Sequence, residues 1–281
     1  MIRRDAGADW LLITQPDHAA VAATLAAHVG GRRFAPLLAQ RQSVLSAIAA
    51  HDDGWHPHDD DAPTLDDHGR PLDVFEAPRS VALPAWSGST ERATVAAGPY
   101  AGLLVSLHGL SLSIHAAGPS TPGHTSLKLV GPHAVFDMNK FQHREMERQE
   151  QLREAVGLPI DVPLLHGLAD AGASPGDDRL TYHFRLLQAM DLLSLCLCCT
   201  RPPAAESADV LPAPGGTPRR LRIATGFGGA LRVSPWPFDV ARIELAVRCR
   251  RLPARPFAGV DAYRAALAAA PVESLAVALR G

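Results

Sequence analysis

Four cysteines in 281 residues are too few to staple a fold with disulfides. Three of them, Cys196, Cys198 and Cys199, crowd into one apolar stretch and read as reduced core residues of a cytosolic protein, with no zinc site expected there. Basic charge is not in excess: the net charge of -2 excludes a nucleic-acid footprint. No apolar run is long enough to cross a bilayer, since the longest, 186–199, is interrupted by Gln188 and Asp191. No cationic-then-apolar leader opens the chain, so secretion is not expected and a cytoplasmic location is. A dinucleotide fingerprint is missing as well, because Gly226, Gly228 and Gly229 fall in a turn with no helix after it.

What remains is a globular composition. Hydrophobic residues make up 47% and charged residues 20%, and the length suits one large domain or two modest ones. The 24 prolines and 23 glycines imply long loops between helices. Histidine is abundant, with 13 in all and six between His18 and His68. Trp10-Leu11-Leu12-Ile13-Thr14 reads as a short strand, and Thr14, Pro16 and Asp17 then signal a helix start. His18, Val21, Ala22, Leu25 and Val29 follow at helical spacing up to a stop at Gly30-Gly31. A second helix is expected over about 36–52, with Leu37, Val44, Leu45 and Ile48 inward and His51 at the end of that stripe.

Residues 53–98 read as a long connection rich in Asp, Pro, Gly and His, attached directly to the His51-Asp52 doublet and therefore expected to cover it. A third helix begins at Pro99 or Tyr100 and carries His108 on its apolar face. Loops are expected over 116–132 and 157–176, on either side of a charged helix over 133–156. Glu145, Glu147, Arg148, Glu150 and Arg153 form the expected solvated face of that helix. The helix over about 180–199 is apolar nearly all round, yet contains Asp191, which must meet a cation or several donors. A linker over 201–218 leads to three alternating strands around Leu221-Arg222-Ile223-Ala224, Leu231-Arg232-Val233 and Ile243-Glu244-Leu245-Ala246-Val247-Arg248. Short helices over 261–270 and 272–279 close the chain. The expected fold is mainly α: a helical domain over 1–200 with an insert at 53–98, and a small antiparallel β-sheet within a subdomain at 219–281 packed on it.

The order His18, His51-Asp52, Asp191 places imidazoles and carboxylates at core-facing helical positions or helix ends, a donor set that suits a divalent metal ion. This order resembles the H…HD…D pattern of the HD-domain superfamily of metal-dependent phosphohydrolases. Gln15-Pro16-Asp17-His18, His51-Asp52-Asp53-Gly54-Trp55, Asp191-Leu192-Leu193-Ser194 and Pro235-Trp236-Pro237-Phe238 also resemble an uncharacterised bacterial domain family without an assigned function. The first resemblance implies an HD-like helical bundle that holds a divalent ion (Fe, Mn, Mg, Ni or Zn) on His18, His51, Asp52 and Asp191. In that reading His108 is a further ligand or the general acid, and Asp52 also orients the attacking water. Trp55, Arg70 and Arg144 are candidates to line a small phosphoester or nucleotide substrate. Asp53-Gly54-Trp55 departs from the residues usual after the doublet. Two other readings stay open: an HD-type di-iron oxygenase, which the extra His ligands support, or a catalytically silent metal-containing module. The oligomeric state is not legible.

Overall fold

The structure is a computed structural model that describes residues 1–117, 134–159, 178–201, 205–207, 210–226 and 229–281. The loops expected over 116–132 and 157–176 lie almost entirely outside these residues, as does part of the expected linker over 201–218. The chain opens with a β-hairpin of β1 (Ile2–Ala6) and β2 (Asp9–Ile13), turned at Gly7 with φ 79°. The Thr14 side chain then accepts from Asp17 N and, with Pro16 in the first turn, starts α1 (Gln15–Ala27). Next come α2 (Arg41–Ala50), α3 (Arg79–Ala97), α4 (Pro99–Ala117), α5 (Ala134–Ala155) and α6 (Asp178–Cys198). Strands β3 (Arg222–Thr225), β4 (Leu231–Ser234) and β5 (Arg242–Pro253), helix α7 (Val260–Ala269) and strand β6 (Val272–Arg280) complete the chain.

The sheet corrects the expected architecture. It is a curled, mixed, six-stranded sheet in the order β1-β2-β5-β6-β4-β3, not a small antiparallel sheet added to a helical bundle. The N-terminal hairpin joins it through β2, which pairs with β5 from Asp9↔Pro253 to Leu12↔Arg250, and β4 runs parallel to β6. One apolar core is shared by sheet and helices: Ile13, Val233, Val247 and Leu279 belong to the same cluster as Leu25, Ile48, Leu104 and Leu187. Two strands escaped the hydrophobic pattern for identifiable reasons. β1 reads Ile-Arg-Arg-Asp-Ala and owes its place to pairing with β2 and to Arg4, whose guanidinium donates to the carbonyls of Leu197, Cys198 and Cys199 at the α6 C-terminus. The alanine-rich 272–279 stretch was expected as helix, but nine residues of antiparallel pairing with β5 impose a strand.

The 53–98 segment is also more ordered than a connection. It holds short helical turns at Asp53–Trp55, Pro57–Asp61 and Val74–Glu76, and then α3. Its buried face carries Ser87, Ser89 and Thr90 among Ala82, Ala85, Trp86 and Ala93, so no apolar stripe announces the helix. The hydroxyls answer to α5. Glu145, expected on a solvated face, is 1% exposed and accepts from Ser87 Oγ at 2.5 Å, Ser106 Oγ at 2.9 Å and Arg148 at 3.1 Å. Arg153 is buried too, whereas Val135 and Phe136 are exposed. Glu147 and Glu150 are exposed as expected, but Glu145, Gln149 and Arg153 join Met138, Phe141 and Leu152 on the buried side of α5, where α3 and α4 present donors to Glu145.

The His51-Asp52 doublet is pinned by a backbone-to-backbone contact. A Cβ on Gly54 would lie 1.9 Å from Ala85 O and 2.5 Å from Ser89 N, and Gly54 N donates to Ser89 Oγ at 2.9 Å. Only a residue without a side chain lets this turn sit on α3. Gly54→Ala is expected to cost about 3 kcal/mol, the upper end for overpacking, measured by urea unfolding; an unchanged midpoint would contradict this packing.

Candidate metal centre

Four helices deliver one residue or one doublet each to a common point. α1 presents His18 one turn after its Thr14 cap. α2 ends at Ala50, so His51 occupies its C-cap and Asp52 the first turn residue beyond. α4 carries His108 and α6 carries Asp191. All five are buried, His18 fully. Ligating atoms of His18, His51 and Asp191 lie within 4.8 Å of one another.

Hydrogen bonds behind the rings determine what faces the centre. His51 Nδ1 stands 2.7 Å from Ile48 O, and a carbonyl can only accept, so Nδ1 carries the proton. Ser194 Oγ donates to Asp191 O at 2.7 Å and therefore accepts from His18 Nδ1 at 2.8 Å. Both Nε2 atoms are thus left to face carboxylates: His18 Nε2 to Asp52 Oδ2 at 2.8 Å, and His51 Nε2 to Asp191 Oδ1 at 3.3 Å and Asp52 Oδ2 at 3.6 Å. His108 Nε2 lies 3.4 Å from Asp191 Oδ2. A lone pair aimed at a carboxylate is tolerable when a proton or a cation stands between them. Donors held about 2.0–2.2 Å from one ion at tetrahedral or octahedral angles stand about 2.8–3.6 Å apart. These four distances fall in that window, while His18 Nδ1 and Asp191 Oδ1 stand 3.9 Å apart, outside it. Anchoring of Nδ1 by a neighbouring oxygen is how ligating histidines are usually oriented.

The charges agree with the geometry. Burial alone would lower His51, but the Asp52 carboxylate, the Asp191 hydrogen bond and charge, and the Ile48 carbonyl hold it up at about 9. Burial alone would raise Asp191, yet His108 and His51 hold it well below the usual carboxylate range; His51 and His18 likewise hold Asp52 low against burial. The only group of His, Cys, Asp or Glu that could hold an ion among the described residues contains no cysteine, and burial pushes the Cys198 thiol up to about 12.

A cavity of about 50 Å³ adjoins the cluster. Gln15, His18, Asp52, His108 and Asp191 form its polar side, and Trp55, Phe75, Trp86 and Leu112 its apolar wall. The 53–98 segment contributes Trp55, Val74 and Phe75, so it does cover the site. Arg70 and Arg144 are not part of the lining. Arg70 pairs with Asp66 at 2.7 Å and lies near Glu76, while Arg144 donates to Ser87 Oγ at 2.7 Å. Ser194 and Gln15 had no role assigned from the residues, although each sits three positions from a member of the cluster, Ser194 after Asp191 and Gln15 before His18. A hydroxyl in the most apolar helix was the available signal.

A family described as a protein of unknown function (DUF3891) matches residues 1–254. The chain belongs to the DUF3891 family. The match runs from β1 through β5 and contains every residue of the cluster, while α7 and β6 lie beyond it. No curated protein and no solved structure matches the chain. For this DUF3891 chain, function therefore has to be argued from the site.

The orienting role of Ser194 has a measurable consequence. Ser194→Ala is expected to weaken divalent-ion affinity about 10–100-fold, as loss of a ligand's outer partner does, with the fold retained. Calorimetric titration with zinc and with manganese checks it; unchanged affinity would mean that the Ser194 bond to His18 does not orient a ligand.

Proposed function

We propose that this chain is a divalent-metal-dependent hydrolase that cleaves a small phosphoester. The observation that carries the reading is the pair of imidazoles anchored through Nδ1, each with Nε2 aimed at the buried carboxylates. His18, His51, Asp52 and Asp191 hold the ion, and imidazole nitrogens beside carboxylates favour a transition metal over calcium or magnesium. The order of these residues along the chain, like that of the HD-domain superfamily, supports the same assignment. A divalent ion bound there would lower the pKa of a water and polarise a phosphoryl oxygen. Asp52 accepts the hydrogen bond that orients the attacking water. His108, backed by Asp191 through Nε2, supplies a proton to the leaving oxygen through Nδ1. The water oxygen then bonds to phosphorus, the ester P–O bond breaks, and the proton lost from the water remains on the cluster. The apolar cavity wall and the third imidazole favour a second reading, a di-iron oxygenase; a coloured, iron-loaded protein would select it.

Two measurements test the proposal. Metal analysis is expected to find one ion per wild-type chain and less than a tenth of that in His51→Ala and in Asp191→Ala, with phosphoester turnover lost in step. Full occupancy in both variants contradicts the site, and a loaded but inactive wild type contradicts the hydrolase. Binding must also displace the proton held by His51. Because that group titrates at about 9, apparent affinity should rise with pH, roughly tenfold per unit for one displaced proton, and flatten above about 9. Calorimetry in buffers of different ionisation enthalpy reads the released proton directly; affinity independent of pH between about 6 and 8 would contradict ligation by His51.

A further inference from the structure

Gln15 Nε2, Trp55 Nε1 and His108 Nδ1 are buried nitrogens without a hydrogen-bond partner among the described residues. Folded chains keep few such atoms, because each one costs folding free energy. These three belong to residues 2%, 3% and 3% exposed, and all three residues line the cavity beside the metal cluster. The Trp55 indole N–H and the Gln15 amide NH2 are donors with no accepting capacity, so each needs an acceptor. The opposite wall of Phe75, Trp86, Leu112 and Leu195 supplies none. Gln15 lies three residues before His18 and Trp55 three residues after Asp52, so both donors belong to the chain segments that carry the cluster.

Charge narrows what can satisfy them. Asp52 and Asp191 together balance one divalent ion, and no Arg or Lys lines the cavity among the described residues. With His108 the one protonable base in that lining apart from the proposed ligand His18, a dianionic or polyphosphate group would enter with part of its charge unmet. A singly charged group with two terminal oxygens matches two N–H donors, and a cavity of about 50 Å³ limits the bound part to a small headgroup. We propose that Gln15 Nε2 and Trp55 Nε1 form a two-donor clamp for a monoanionic group with two terminal oxygens, a phosphodiester or a carboxylate. This rests on the metal-hydrolase reading for what happens next, but the clamp itself makes a separate claim.

The test compares wild type, Gln15→Met and Trp55→Phe, each incubated with zinc and analysed for metal, in binding of dimethyl phosphate, acetate and inorganic phosphate by calorimetry. Both substitutions replace the N–H by apolar atoms at similar volume. Wild type is expected to bind dimethyl phosphate or acetate more tightly than inorganic phosphate; which of the two is tighter identifies the source of the group. Each variant should lose about tenfold in that affinity with its metal content unchanged. Ligand-free Gln15→Met should melt no lower than wild type, since it removes an unsatisfied donor. Variants that bind as wild type does, tighter binding of inorganic phosphate, or no binding of any of the three overturn the clamp. A Gln15→Met that melts lower and binds normally would make Gln15 structural and overturns it too. Wild type that carries no metal but binds through both donors would support the clamp while defeating the metal centre.

Discussion

Two carboxylates, Asp52 and Asp191, are buried at the meeting point of four helices, and the rest of the structure has to answer for them. A carboxylate taken out of water needs a cation or several donors. Here three imidazoles from three different helices supply the answer, so α1, α2, α4 and α6 must converge whatever else they do. Such buried charge clusters add little net stability compared with a well-packed apolar core. Their use lies in chemistry. His51 is held charged against burial because Asp52 and Asp191 face it, which is the electrostatic signature of a place that favours positive charge.

The surrounding fold can be read as support for that point. α6 is buried nearly all round and brings Asp191 and Ser194 together one turn apart, so a single helix supplies both a carboxylate and the hydroxyl that orients His18. Arg4 from the hairpin closes the C-terminal carbonyls of the same helix, tying sheet to site. The turn after the doublet rests on α3 backbone at Gly54, and α3 in turn exchanges hydroxyl bonds with Glu145 on α5. The apolar wall of the cavity comes from these same elements, through Trp55, Trp86 and Leu112.

The clustering of His18, His51 and Asp191 was legible because each sits where periodicity and cost arguments agree. His18 and His51 fall on apolar stripes, and Asp191 interrupts an apolar helix that has no other reason to carry a charge. The cover over the site was legible in outline, from the length of 53–98, but not as a helix, since the buried face of α3 is made of small and hydroxyl-bearing residues. The sheet was misjudged at both ends. β1 is polar and β6 is alanine-rich, and both exist through long-range pairing that no local pattern announces. Arg70 and Arg144 looked available as clamps because their partners, Asp66, Glu76 and Ser87, become neighbours only in three dimensions. The donors Gln15 and Trp55 are visible as functional groups for the opposite reason, since folding leaves their nitrogens unsatisfied.

The proposed centre holds its ion by nitrogen and oxygen, not by sulfur and not on the surface. X-ray absorption of zinc-loaded protein tests this most directly, because imidazole and carboxylate donors scatter from about 2.0–2.2 Å and thiolates from about 2.3 Å. The predicted spectrum shows nitrogen and oxygen donors with the outer scattering of at least two imidazoles. A sulfur shell, which would place the ion at Cys196, Cys198 or Cys199, or a shell of oxygens without imidazole, would contradict it.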